Sequence, residues 1–96
     1  MKPTKSYQES LVKSLRDPVE AAEYLNAAIE ENDLDTFLLA LRNVAEAHGM
    51  SRVSQRTKLN RVSLYRMLSR RGNPQFQSIL HLLNVWGLRL SVKPQG

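Results

Sequence analysis

Helix-breaking residues divide this chain at short intervals, and that spacing decides what it can build. Breaks fall at Asp17-Pro18, Asn32-Asp33, Gly49, Lys58–Asn60, Gly72-Asn73-Pro74 and Gly87. The segments between them are about two to four helical turns long. Inside them apolar residues recur at three- and four-residue steps, the pattern of amphipathic helices. The clearest is 34–48. There Leu34, Phe37, Leu38, Leu41, Val44 and Ala45 form one stripe, and Gly49 stands where a left-handed cap would end the helix.

The other segments follow the same logic. Residues 1–16 read as an arm or a short helix with Tyr7, Leu11 and Leu15 on one face. A helix over 17–31 starts with Asp17 as N-cap, Pro18 in the first position and Glu20 placed for a capping box. Its stripe is Val19, Ala22, Tyr24 or Leu25, Ala28 and Ile29. Ser51 is placed to cap a short helix over 52–58, and Asn60 another over 61–70 with Leu64, Met67 and Leu68 inward. A helix over 75–86 puts Phe76, Ile79, Leu80, Leu83 and Trp86 on its core face. Residues 88–93 alternate apolar and polar, a strand signature. A lone strand needs an edge to pair with. A second copy supplies one through Leu88, Leu90 and Val92; packing on its own domain or disorder are the alternatives. The expected fold is all-α, a single five-helix domain over 17–93 with a short C-terminal strand.

Charge is segregated. All nine acidic residues lie in the first 46 positions, while residues 47–96 hold nine basic ones and no acid. Fifty residues of one sign repel each other unless a partner of opposite sign is near, and the usual partner is a phosphate backbone. The chain has 96 residues, is 42% hydrophobic and has no cysteine. That is one small domain without disulfides, thiolate metal sites or a cysteine nucleophile. No apolar run suggests a signal peptide or a membrane span, so a cytoplasmic location is expected. His48 and His81 are isolated, and no nucleophile–base pair or phosphate-cradling glycine loop is present. No cofactor, metal, small-molecule substrate or enzymatic activity is expected.

Two short helices joined by a tight break have the outline of a helix-turn-helix, with its motif at about 51–70. In that arrangement the second short helix lies in the major groove. With Leu64, Met67 and Leu68 inward, its outer face carries Arg61, Val62, Tyr65, Arg66 and Ser69. Arg61, Val62, Tyr65 and Arg66 are the candidate base readers. An arginine can bind guanine O6 and N7 together, worth about 1–3 kcal/mol of discrimination, and Val62 can touch a thymine methyl. Tyr65 has a second placement, in the core. Ser51, Arg52, Arg56, Lys58, Asn60, Ser63, Ser69, Arg70 and Arg71 are the candidate phosphate contacts. With roughly six phosphate contacts, log affinity should fall against log salt with a slope near −5.

The run Gly49-Met50-Ser51, Thr57–Arg61, Ser63-Leu64-Tyr65-Arg66, Leu68-Ser69, Gly72-Asn73-Pro74, Phe76 and Gly87–Leu90 resembles the addiction-module antidote family. With Tyr24–Ala28 upstream, the resemblance covers about residues 18–93. These are HigA-like antitoxins with a lambda-repressor-like (Cro-type, Xre) helix-turn-helix. The resemblance implies a homodimeric repressor that binds its own operator in double-stranded DNA. It also implies a small toxin partner of the RelE/ParE/HigB type. The chain departs from the family pattern at four places: Lys58 where glycine is usual, Ser54 for alanine, Val62 for a polar residue, and Arg70-Arg71 for Pro-Asp. A left-handed residue other than glycine at 58 would cost about 1–2 kcal/mol, so either Asn60 absorbs the turn or the geometry is shifted by one residue.

Blander readings stand beside this one. The basic half is then a solvated surface, and the acidic helix 17–33 is a solvated face with no role in holding a basic toxin. A phage-type repressor without a toxin has the same sequence features. A helical module that binds RNA or an acidic protein is the alternative from another class.

Overall fold

A computed structural model describes residues 5–70 and 72–96. It contains six helices: α1 (Lys5–Ser14), α2 (Pro18–Glu30), α3 (Leu34–His48), α4 (Met50–Thr57), α5 (Arg61–Met67) and α6 (Phe76–Val85). The sequence had suggested five helices after an arm or short helix, and 1–16 contributes the sixth. Leu11 and Val12 pack against the core, and Leu15, just past the helix end, is fully buried in it. No helix of the described residues is long and apolar enough to cross a membrane.

Caps set the boundaries. The Asp17 carboxylate accepts from Val19 N at 2.9 Å. No capping box with Glu20 forms, because the Asp17 N–H that Glu20 would bind already donates to Ser14 O at 3.1 Å. After α2 the chain turns on Asn32, at φ 55°. Asp33 then caps α3, accepting from Thr36 N at 3.1 Å and from the Thr36 hydroxyl at 2.7 Å. These bonds, joined by the Arg70 charge, hold the Asp33 carboxyl below its usual range.

The central helix is α3. It buries Leu38, Ala40, Leu41, Val44, Ala45 and Ala47, and packs against α1, α2 and α4. A polar seam ties its first two neighbours to it. Asn43, itself buried, accepts from Gln8 Nε2 at 3.3 Å and donates from Nδ2 to the Tyr24 hydroxyl at 2.8 Å. Buried amide groups must be paired, so this seam fixes the rotation of α1 and α2 about α3.

Several apolar residues expected in the core lie outside it. The buried stripe of α2 is Ala21, Leu25 and Ala28, leaving Val19 and Ile29 exposed. One helix face is too narrow to hold all five expected positions. Leu34 and Phe76 are the first residues of their helices and both are exposed, Phe76 at 62%. Leu80, also placed on the core face, is exposed. Trp86 is buried as expected, stacked on His48 with ring centroids 5.8 Å apart, and its Nε1–H has no hydrogen-bond acceptor.

The C-terminal strand does not form: no residue of 88–96 is in a strand. Leu88 is used to close α6. Its N–H donates to Leu83 O at 2.8 Å while Gly87 N donates to Asn84 O at 3.0 Å, with Gly87 at φ 76°. That is the paired-bond helix terminus that needs a left-handed glycine. Leu88 and Leu90 then border a cavity of about 170 Å³ with Leu25, Ile29, Phe37 and Leu83. Val92, also assigned to the strand, is 93% exposed. A strand is completed by a neighbour's backbone, and the described residues of one chain offer no sheet edge.

Candidate nucleic-acid interface

The interface is built on α4, the turn after it, and α5. In α4 the spacing of Met50, Val53 and Thr57 buries one face and leaves Ser51, Arg52, Gln55 and Arg56 exposed. Ser51 does not cap this helix. The helix begins two residues earlier than expected, at Met50, with Gly49 (φ 87°) in the cap position and no side-chain cap bond.

The turn is three residues long, Lys58 to Asn60. Lys58 is left-handed, at φ 61° and ψ 19°. Neither expected arrangement holds: the turn is not shifted and Asn60 does not absorb it, because Lys58 itself takes the left-handed conformation and Asn60 stays extended, where its side chain can cap the next helix. Three hydroxyl bonds hold the turn. Thr57 Oγ1 donates to Val53 O at 2.7 Å and accepts from Leu59 N at 3.3 Å. Ser54 Oγ donates to Leu59 O at 2.6 Å, so its hydroxyl is satisfied.

Asn60 Oδ1 accepts from Ser63 N at 2.7 Å and starts α5 as the sequence suggested. The helix ends at Met67, three residues short of the expected end. Leu64 and Leu68 are buried and Met67 half-buried, so the inward face is as expected. The outward face carries Arg61, Val62, Ser63, Tyr65 and Arg66, all exposed, with Val62 67% accessible. After α5, Gly72 sits where a β-carbon would collide with the Met67 carbonyl oxygen, so only glycine fits this exit.

Tyr65 stands at the edge of this face, 37% exposed, beneath the Arg42 guanidinium, whose Cζ is 5.4 Å from the ring centroid. Arg42 also pairs with Glu46 at 3.5 Å. Arg70 reaches back to Asp35 on α3, Nε to Oδ2 3.6 Å, so one of the candidate phosphate contacts already has an anionic neighbour. Ser69 donates its hydroxyl to Arg66 O at 2.7 Å and would have to release it to bind a phosphate. Arg71 lies outside the described residues. Nothing in residues 61–70 alone points to Arg42 or Asp35. They are brought there by two side-chain contacts between distant parts of the chain, Arg42 over Tyr65 and Asp35 beside Arg70.

At the other end of α3, His48 is kept below its ordinary pKa, first by burial, then by the charges of Arg52, Arg56 and Arg16. Arg16 anchors there, its Nε donating to Ala47 O at 3.1 Å. Among the described residues no three His, Asp or Glu side chains gather as a metal site would require.

Comparison with known proteins gives a consistent result. Residues 5–94 match the family described as probable addiction module antidote protein. A Haemophilus influenzae (strain ATCC 51907 / DSM 11121 / KW20 / Rd) protein described as uncharacterized is 31% identical over 70 residues, which covers 73% of this chain and 72% of that protein. No solved structure matches the chain.

Proposed function

Since this chain belongs to the addiction-module antidote family, we propose that it is a DNA-binding antitoxin. In this reading it represses its own operon as a homodimer and neutralises a small toxin of the RelE/ParE/HigB type. The observation that carries the DNA-binding half is the α4–turn–α5 unit. The order of its two short helices and the tight turn between them support reading the unit as a lambda-repressor-like helix-turn-helix. Its second helix presents Arg61, Val62, Tyr65 and Arg66 opposite the buried Leu64 and Leu68. No acidic residue follows Glu46, so the surface around α5 meets phosphates without an acid from its own half.

In this reading Arg61 and Arg66 bind base edges, Val62 meets a thymine methyl, and Tyr65 makes a contact set by Arg42. Ser51, Arg52, Arg56, Lys58, Asn60, Ser63, Ser69, Arg70 and Arg71 fix register on the backbone. Two copies bind two half-sites, and the exposed side chains of Leu90 and Val92 are free to meet the second copy. The toxin half rests on the family and on the outer face of α2. That face exposes Glu20, Glu23 and Glu30 beside Val19 and Ile29, an acidic surface with apolar content suited to a basic protein.

The test is a gel-shift on the DNA upstream of the protein's own gene, against a random duplex of equal length. Arg61→Ala and Arg66→Ala should narrow the preference for the upstream DNA. Arg52→Ala and Arg56→Ala should weaken both duplexes alike. Equal wild-type affinity for the two duplexes would sink sequence-specific repression. Retained binding to a random duplex would then leave non-specific nucleic-acid binding.

A further inference from the structure

The division of the chain into acidic and basic halves has an exception in three dimensions. Arg16 lies in the acidic half, between α1 and α2, yet its guanidinium is fastened to α3's C-terminal end through the 3.1 Å bond to Ala47 O. From there the chain passes through His48 and Gly49 into α4, whose exposed face carries Arg52 and, one turn on, Arg56. His48 feels all three guanidinium charges. Among the described residues none of the three arginines makes an ion pair. The nearest acid in sequence, Asp17, has turned its carboxylate to Val19 N. Three exposed arginines from two separate parts of the chain thus flank the α3–α4 junction, none of them held by a carboxylate, and guanidinium groups so placed suit an anion.

We propose that Arg16 extends the DNA interface beyond the α4–α5 unit, as a phosphate contact beside those of Arg52 and Arg56. The proposal rests on the DNA-binding reading above. The bond to Ala47 O uses the Nε donor and leaves both terminal nitrogens for a phosphate. Fixing the side chain before binding lowers the ordering cost that a free arginine would meet. Because the contact is to backbone, it strengthens binding to all sequences alike. One phosphate contact adds about 0.9 to the salt slope, which at 0.15 M salt corresponds to about fivefold in affinity.

The experiment measures binding of wild type, Arg16→Gln and Arg16→Lys to the upstream DNA and to a random duplex, from about 50 to 300 mM salt. Circular dichroism melting confirms that each variant is folded. Arg16→Gln should lose about fivefold on both duplexes near 0.15 M, with a salt slope shallower by about 0.9. Arg16→Lys, which keeps the charge but not the Nε bond, should keep most of the slope and so separates charge from folding. If wild type binds and Arg16→Gln keeps its affinity and slope, the inference is overturned while the DNA-binding reading stands. If wild type binds neither duplex, the DNA-binding reading itself fails. If Arg16→Gln binds DNA normally but no longer captures the purified product of the neighbouring gene, the three arginines form a protein-docking surface and the inference is likewise overturned.

Discussion

Replacing Lys58 by glycine should make the protein more stable and its DNA binding weaker. Lys58 occupies the left-handed region at φ 61° and ψ 19°. There the β-carbon crowds the following carbonyl, costing about 1–2 kcal/mol that glycine does not incur. Glycine also has more freedom in the unfolded chain, which takes back about 0.4–1 kcal/mol. The midpoints of the two ranges leave about 0.8 kcal/mol of added stability, or a Tm rise of about 3–6 °C for a domain this size. Removing a positive charge from the basic half is an independent effect, so Lys58→Ala is the necessary control. It removes the same charge but keeps the β-carbon. Calorimetry should therefore place Lys58→Gly above Lys58→Ala, with Lys58→Ala at or near wild type. Both variants should lose about 0.9 from the salt slope if Lys58 contacts a phosphate. Equal Tm for the two variants would refute the left-handed turn at 58.

Leu64→Ala empties a fully buried position where α5 meets the core, and should cost about 2–5 kcal/mol, read as a lower urea midpoint; a loss under about 1 kcal/mol would contradict the packing of α5. Asp35→Asn removes the anion beside Arg70. An exposed pair of this kind is worth about 0.2–1 kcal/mol, so DNA affinity should rise by up to about fivefold as Arg70 becomes free for phosphate. A weaker complex would mean that Asp35 orients Arg70 instead of withholding it. His48 has a lowered folded pKa, so the unfolded chain takes up the proton first as pH falls. Its contribution is fully present above its ordinary value of 6.5 and is lost as pH drops through and below that value. Urea midpoints should fall over this window for wild type, and His48→Gln should show a smaller fall; an unchanged fall would assign the pH dependence elsewhere.

The parts of this fold legible in the sequence are those decided locally. Asp17 and Asn60 cap helices through their own side chains, as their positions suggested, whereas Asp33 was expected only to end α2 and in fact also caps α3. The inward face of α5 followed from residue spacing alone. The C-terminal segment went differently because alternation marks a strand only if an edge is available. Here the first residue, Leu88, is taken by the end of α6. Phe76 has the spacing of a core residue, but spacing does not reveal how far the core extends along the helix. For the candidate site, the outward arginines of α5 could be read from the sequence. The residues that modulate them could not. Arg42 above Tyr65, Asp35 beside Arg70 and Arg16 at the end of α3 act over long sequence separations, and no periodicity encodes such contacts.

Gly49 ends α3 and begins α4 by itself, with no intervening loop. One residue added or removed there would turn α4 by about 100° and shift it by about 1.5 Å relative to α3. Val53 would leave the core and Arg52 would swing off its face. Changes of chain length among relatives should therefore be excluded from this junction. The longer connection between Met67 and Phe76 can absorb them, because there the chain leaves one helix well before it enters the next.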